Sequence, residues 1–435
     1  MGNRVRPLRW PEDRAALFEH FRQTNASEDA ELLHAWYGTL PGFDPGNSYV
    51  IEAADGSIVA HSMLIPRQLQ IGPSTLPTAE IALMSVPDKP RRPDLLRALA
   101  AALHARMTAR GDALGLLLGA PNAAGYWSSQ GQDDWQYEYA VGLYLTSFES
   151  EIATAALLKA GRWDPAHSYQ RRTADRLGVG RQTVTVRRFY SSDLPAIAAL
   201  YAATSARGHY LIARNADVWA WQLEYLARIG RYEPDDFLVA EIGGQVVAYA
   251  RLVSQGPVNW FRDQDAASFC VIEAAGDHPD GVEALVAAIG HAALTLGVER
   301  IGLYIHPHSA LMRHLLARGA CLRAFTGAGM VRLHDLSEAL DRLQPALEQR
   351  RLNSPYAARA YRLLVRTESD QAEVYLGAGD YELVELEAPS TVVARLITGW
   401  HGLDRATAGY HERYAPLLRA LFPQGDPKIA LPDLW

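Results

Sequence analysis

The chain has 435 residues, 49% of them apolar, and a formal net charge of −7. Its length points to about three domains, and its acidic balance argues against general nucleic-acid binding, which favours a basic surface, while leaving room for a local basic pocket. Two cysteines, Cys270 and Cys321, cannot make a disulfide framework and are expected reduced in the cytoplasm.

No segment approaches the roughly 18 uninterrupted apolar residues of a membrane span. Arg4, Arg6 and Arg9 are followed by acidic residues rather than the apolar run of a secretory leader. From the N-terminus, residues 15–24 read as a helix with Leu17, Phe18 and Phe21 on one face. Strands follow near 49–54, 57–71 and 78–86. A long helix covers 93–110, with Leu95, Leu96, Leu99, Leu103 and Met107 at helical spacing. A buried strand, 114–118, a short helix at 122–130 and a strand at 135–146 complete a first module. Residues 148–182 read as a connector with a helical piece, 152–160.

A second series then begins. Helices are expected at 194–201 and 217–229, the latter with Trp219, Trp221 and Tyr225 on one buried face. Strands follow at 237–242, 245–254 and 266–274. Then come a helix (282–296), a strand (301–306), a helix (310–318) and a closing strand (327–333). The last third has a Leu-rich helix (336–350), strands at 359–366, 371–376 and 381–386, and a helical region at 391–422. His306 and His308 lack further metal-ligand partners in the sequence and read as loop histidines.

The two series match in detail. Gly111 to Pro121 and Gly297 to Pro307 share one Gly-to-Pro spacing, ten residues, around an apolar strand. Gly56-Ser57-Ile58-Val59-Ala60 answers Gly244-Gln245-Val246-Val247-Ala248, and Val5-Arg6-Pro7-Leu8 answers Val186-Arg187-Arg188-Phe189. Apolar strands, Tyr49-Val50-Ile51-Glu52-Ala53 and Phe237-Leu238-Val239-Ala240-Glu241, also match, and four matches in one order at nearly constant offset imply two copies of one module.

The order strand, helix, helix, three strands, helix, strand, helix, strand resembles the GNAT acetyltransferase fold. Two such modules followed by a smaller domain resemble the Eis-type acetyltransferases, whose third domain is sterol-carrier-like. The resemblance implies an α/β (α+β) chain of two tandem GNAT-like mixed-sheet domains, residues 1–147 and 183–335, joined by the connector. A sterol-carrier-like domain, 336–435, closes it. It implies acetyl-CoA as cosubstrate, a small-molecule amine as acceptor, no metal, no nucleic acid, no membrane, and a possible homo-oligomer. Within that family's pattern the second module is the non-catalytic one, and its turn Asp277-His278-Pro279-Asp280 lacks a cation for phosphate.

The resemblance also nominates residues. The cofactor would lie against Met84, Ser85, Val86, Lys89, Arg91, Arg92, Leu95, Leu96 and Asn122, with its diphosphate at the start of the long helix. Pro93 and Asp94 stand where the family has glycine, and the alternative is a solvated basic turn capping that helix. The family's catalytic tyrosine precedes a glycine by four residues. Here that place, counted from Gly131, holds Trp127, and Tyr126 beside it is the candidate acid, the alternative being two packing aromatics. The resemblance makes the terminal carboxylate, at Trp435, the general base, unless the tail docks for stability alone. Glu80 is an alternative acidic group facing substrate. A catalytically silent binding module and a transferase for longer acyl chains remain the rival readings.

Overall fold

The computed structural model describes residues 3–24, 37, 39–86, 93–118, 140–145, 150–153, 155, 170–173, 182–204, 210–228, 236–253, 269–306, 309–321, 329–400, 402–406, 408–425 and 428–429. The first sheet opens with strand β1 (Arg4–Pro7), helix α1 (Arg14–Thr24) and strands β2 (Ser48–Glu52), β3 (Ile58–Ile71) and β4 (Ser74–Ser85). Helix α2 (Pro93–Arg110), β5 (Leu114–Leu118) and β6 (Ala140–Leu145) follow. Strands β1 to β4 pair antiparallel in sequence order, and β4 pairs parallel with β5. Helix α2 crosses between those two strands, as a parallel connection requires. It buries Leu95, Leu96 and Leu99 against Ile51, Ala60 and Val86, and Leu103 and Met107 against Leu64, Ile81 and Leu117.

The next elements are β7 (Ser150–Ala153), β8 (Gln170–Thr173), β9 (Gln182–Arg188), helix α3 (Leu194–Ala203), β10 (Tyr210–Ile212) and α4 (Ala216–Arg228). After them come β11 (Phe237–Ile242), β12 (Gln245–Val253), β13 (Cys270–Gly276), α5 (Pro279–Thr295), β14 (Arg300–Leu303), α6 (Ala310–Leu316) and β15 (Gly329–Leu333). In the second sheet β9, β11, β12 and β13 pair antiparallel in order and β13 pairs parallel with β14. That is the order of β1 to β5. One ion cluster also occurs in both. Arg6 spans Asp13 at 2.6 Å and Glu52 at 2.9 Å, and Arg187 spans Asp193 at 2.6 Å and Glu241 at 2.8 Å.

The two sheets exchange their closing strands. β15, which follows the second series in the chain, lies in the first sheet between β5 and β6. β7, which follows the first, pairs with β14 at the edge of the second. Residues 152 and 153 are therefore strand, not the expected helix: an open sheet edge recruits them. β10 adds to the end of β3. Trp219 and Trp221 are both buried, but two positions along a helix turn them about 200° apart. Trp219 enters the core under β11 and β12. Trp221 enters a core shared with Leu17, Phe21 and Met63 of the first copy. Tyr225's side chain lies outside the description.

The last third holds α7 (Leu336–Leu352), β16 (Ala360–Arg366), β17 (Gln371–Leu376), β18 (Tyr381–Glu387), α8 (Ser390–Thr398), β19 (Gly409–Tyr410), α9 (Ala415–Leu421) and β20 (Lys428–Ile429). Gly399, at φ 71°, ends α8, so the expected helical region 391–422 is two helices with a short strand between them. α7 packs its Leu340, Leu343 and Leu347 in one core with Leu69, Leu76 and Leu116 of the first sheet. Tyr375 alternates away from the buried Leu376 onto the open face of the small sheet. Among the described residues no helix is long and apolar enough to cross a membrane.

Candidate functional site

The β4–β5 ladder runs from Thr78↔Leu114 to Ile81↔Leu117 and stops, while β4 continues to Ser85. Among the described residues no strand covers that last stretch on the β5 side. Among the described residues a wedge therefore opens at the carboxyl ends of the two strands. An uncovered strand edge presents backbone N–H and C=O groups to an extended ligand. On its other side β4 is held by β3 through a bulge. His61 faces Ser85 and Met63 faces Ala82, so β4 carries one residue more than β3. At the bulge Leu83 takes φ 51°, a conformation no other non-glycine among the described residues adopts. Such a backbone costs about 1–3 kcal/mol and collects at functional sites. Bulges re-aim a strand in the same places.

A buried polar set fixes that bend. Ser62 Oγ donates to the Ala82 carbonyl at 3.1 Å, His61 Nδ1 to that of Leu83 at 3.2 Å, and His20 Nε2 to that of Ser85 at 3.2 Å. Thr24 Oγ1 meets Ser85 Oγ at 2.6 Å. With Nδ1 donating, His61 Nε2 accepts from the Tyr37 hydroxyl. Burial pushes the His61 imidazole down to about 3 and lowers that of His20. Both are neutral donors at pH 7. Burial likewise drives the Tyr37 phenol upward. His20, Tyr37, His61 and Ser62 were not nominated from the sequence. They come from three separate elements, and no motif spacing links them.

The nominated residues divide by position. Ser85 and Met84 lie on the bulged strand itself. Val86, Leu95 and Leu96 bury their side chains in the core under α2, which leaves their backbone for any ligand. Glu80 is buried, and its Oε2 accepts from Arg67 Nε at 2.9 Å. Lys89, Arg91, Arg92, Asn122, Tyr126 and Trp435 lie outside the described residues, as does His308. His306 is buried, and the described residues contain no cluster of metal-ligating side chains.

The second sheet bulges one residue further along the matching strand. Arg251 faces Glu273 and Leu252 faces Val271, so Ile272 is the extra residue. Its φ is not positive. The helix that follows starts from Asp277 and Asp280 without a cation in its first turn. Where the first copy has Met63 and Leu83, this one has Arg251 and Glu273.

Residues 4–129 match the model of the acetyltransferase (GNAT) domain. That stretch contains the bulge, the wedge and α2. No curated protein matches the chain. Among solved structures, the chain is similar to a GCN5-related N-acetyltransferase from Anabaena variabilis, with TM-score 0.63 and 14% identity over 98% of this chain and 99% of that one. It is also similar to one from Kribbella flavida (TM-score 0.62, 15% identity, 98% and 97% covered). A third is Eis1 from Mycobacterium abscessus (TM-score 0.57, 17% identity, 98% and 98% covered). At these identities the likeness is one of fold, and it extends over the whole chain.

Proposed function

We propose that the protein is an acyl-CoA-dependent N-acyltransferase that moves an acetyl group from acetyl-CoA to a small-molecule amine in the first copy's wedge. The observation that carries the reading is the strained bulge of β4 beside a strand edge that no described strand covers, inside the stretch that matches the acetyltransferase domain. Acetyl-CoA supplies an activated thioester when bound. The open edge from Ala82 to Ser85 hydrogen-bonds its extended arm. Lys89, Arg91 and Arg92 pair with its phosphates, aided by the N-terminus of α2, with Leu95, Leu96 and Asn122 flanking.

Tyr126 returns a proton to the departing thiolate sulfur, and the segment ending at Trp435 brings the carboxylate that deprotonates the amine. The geometry of β20 supports the second role. It runs parallel to β6, which runs in the same direction as β5, so it leaves the sheet at the wedge end. From β20 to β5 is three strand spacings, about 15 Å. The residues from Ala430 to Trp435, fully extended, reach about 20 Å. Glu80, tied to Arg67, is proposed to set the charge of the wedge floor for an amine.

The second copy is structural in this reading, and 183–335 and 336–435 serve as scaffold. The cytoplasm is the proposed compartment, in keeping with two free thiols. Calorimetric titration with CoA and single-turnover acetyl transfer test the proposal. Arg91→Ala with Arg92→Ala should weaken CoA binding tenfold or more, and Tyr126→Phe should slow transfer by roughly 100-fold. Absence of CoA binding at millimolar concentration would reject it.

A further inference from the structure

The second copy's bulge holds a guanidinium whose side edge meets no hydrogen-bond partner among the described residues. Arg251 is wholly buried. Its Nη1 donates to Gln222 Oε1 at 3.2 Å, a neutral acceptor. The carboxylate of Glu273 stands off at 4.0 Å and is already taken. Its Oε2 accepts from Arg214 at 2.6 Å and its Oε1 from the Tyr249 hydroxyl at 2.9 Å. Among the described residues, Arg251 Nε and Nη2 are buried without a hydrogen-bond partner, and so is Nε1 of the neighbouring Trp219. The Arg251 guanidinium carbon lies 5.9 Å from the Trp219 ring centroid and 5.5 Å from that of Phe237.

Nε and Nη2 form the side edge of the guanidinium, the pair that grips a carboxylate bidentately. A buried donor left unsatisfied is costly, and one on a charged group more so. Three such donors in one contact cluster are an exception that asks for a ligand. Apolar walls and full burial restrict it to a small one.

We infer that the second copy holds a small monovalent anion, with the geometry of a carboxylate such as formate or acetate, on Arg251 Nε and Nη2 and Trp219 Nε1. It occupies the counterpart of the first copy's bulge, where Met63 and Leu83 stand instead of Arg251 and Glu273. The site is independent of activity in the first copy.

The full chain is melted in sodium formate, acetate, chloride and gluconate at equal ionic strength. Gluconate is too bulky to enter. The melting temperature is expected to be about 2 °C or more higher in formate and acetate than in gluconate. That increment should vanish in Trp219→Phe, which keeps the ring and removes a donor, and in Arg251→Met. Should Arg251→Met fail to fold, Trp219→Phe alone decides. An increment in chloride that is likewise lost in the variant supports the anion site and names a halide as its occupant. Equal melting temperatures in all four salts, or increments that persist unchanged in Trp219→Phe, would overturn the inference and leave the donors to water.

Discussion

Both ring nitrogens of His61 are engaged, one by the Leu83 carbonyl and one by the Tyr37 hydroxyl, and this makes the residue the pillar of the bulge. Replacing it with alanine removes the partner of a buried phenol, whose remaining contact to Ser48 is 3.4 Å, and releases Leu83 from one of its restraints. His61→Ala is expected to cost about 2–4 kcal/mol in urea unfolding. Tyr37→Phe, which removes one hydroxyl, should cost about 1 kcal/mol. A His61→Ala variant as stable as the parent would refute the pillar role. Little of this was legible in the sequence. Ile81-Ala82-Leu83-Met84 is apolar throughout and carries no alternation to show where the strand changes phase. Leucine, unlike glycine or asparagine, gives no sign of a left-handed backbone. Met84 and Ser85 were placed near the wedge by resemblance alone.

Elements with a long period were the readable ones. The helix expected at 93–110 spans Pro93–Arg110, because five leucine or methionine positions recur at its spacing and proline suits its first turn. Short elements followed their neighbours instead. Residues 150–153 sit in a helix-favouring stretch, yet β14 offers an open edge and they pair with it. The turn after β13 is rigid for a different reason. Gly276 sits at φ 100°, and a Cβ there would meet the Val247 carbonyl oxygen at 2.4 Å and Ala248 Cα at 2.5 Å. Both obstacles are backbone and cannot step aside. Gly276→Ala should therefore destabilise the chain by more than about 2 kcal/mol, read as a lower denaturant midpoint. Gly297→Ala, where the φ is also positive but the space is open, should cost less.

At the scale of the whole molecule the strand exchange matters most. The sequence shows two series in order and hides the crossing, since β15 carries the same pattern in either sheet. Without β15 the first sheet breaks between β5 and β6. A fragment of residues 1–147 should therefore give little native structure by circular dichroism and hydrogen exchange, and extension through α7 should restore it. Acid sensitivity is also global. Burial holds His61 and His334 near 3 and His104 near 4, the last two with help from the Arg332 charge. All three are depressed below the unfolded value of 6.5. The unfolded chain thus takes up these protons first. Stability should be flat above about pH 6.5 and fall steadily toward pH 4, visible as a declining urea midpoint.

The crossing also sets a timetable for synthesis. Leu118 and Gly329 are neighbours in the finished sheet, but a ribosome adds roughly two hundred residues between them. At ordinary elongation speed that is a delay of about 10–40 s, during which β5 waits with a bare flank. A nascent chain of this kind needs shelter until its late partner emerges, and stalled or truncated products are the ones to look for in aggregates.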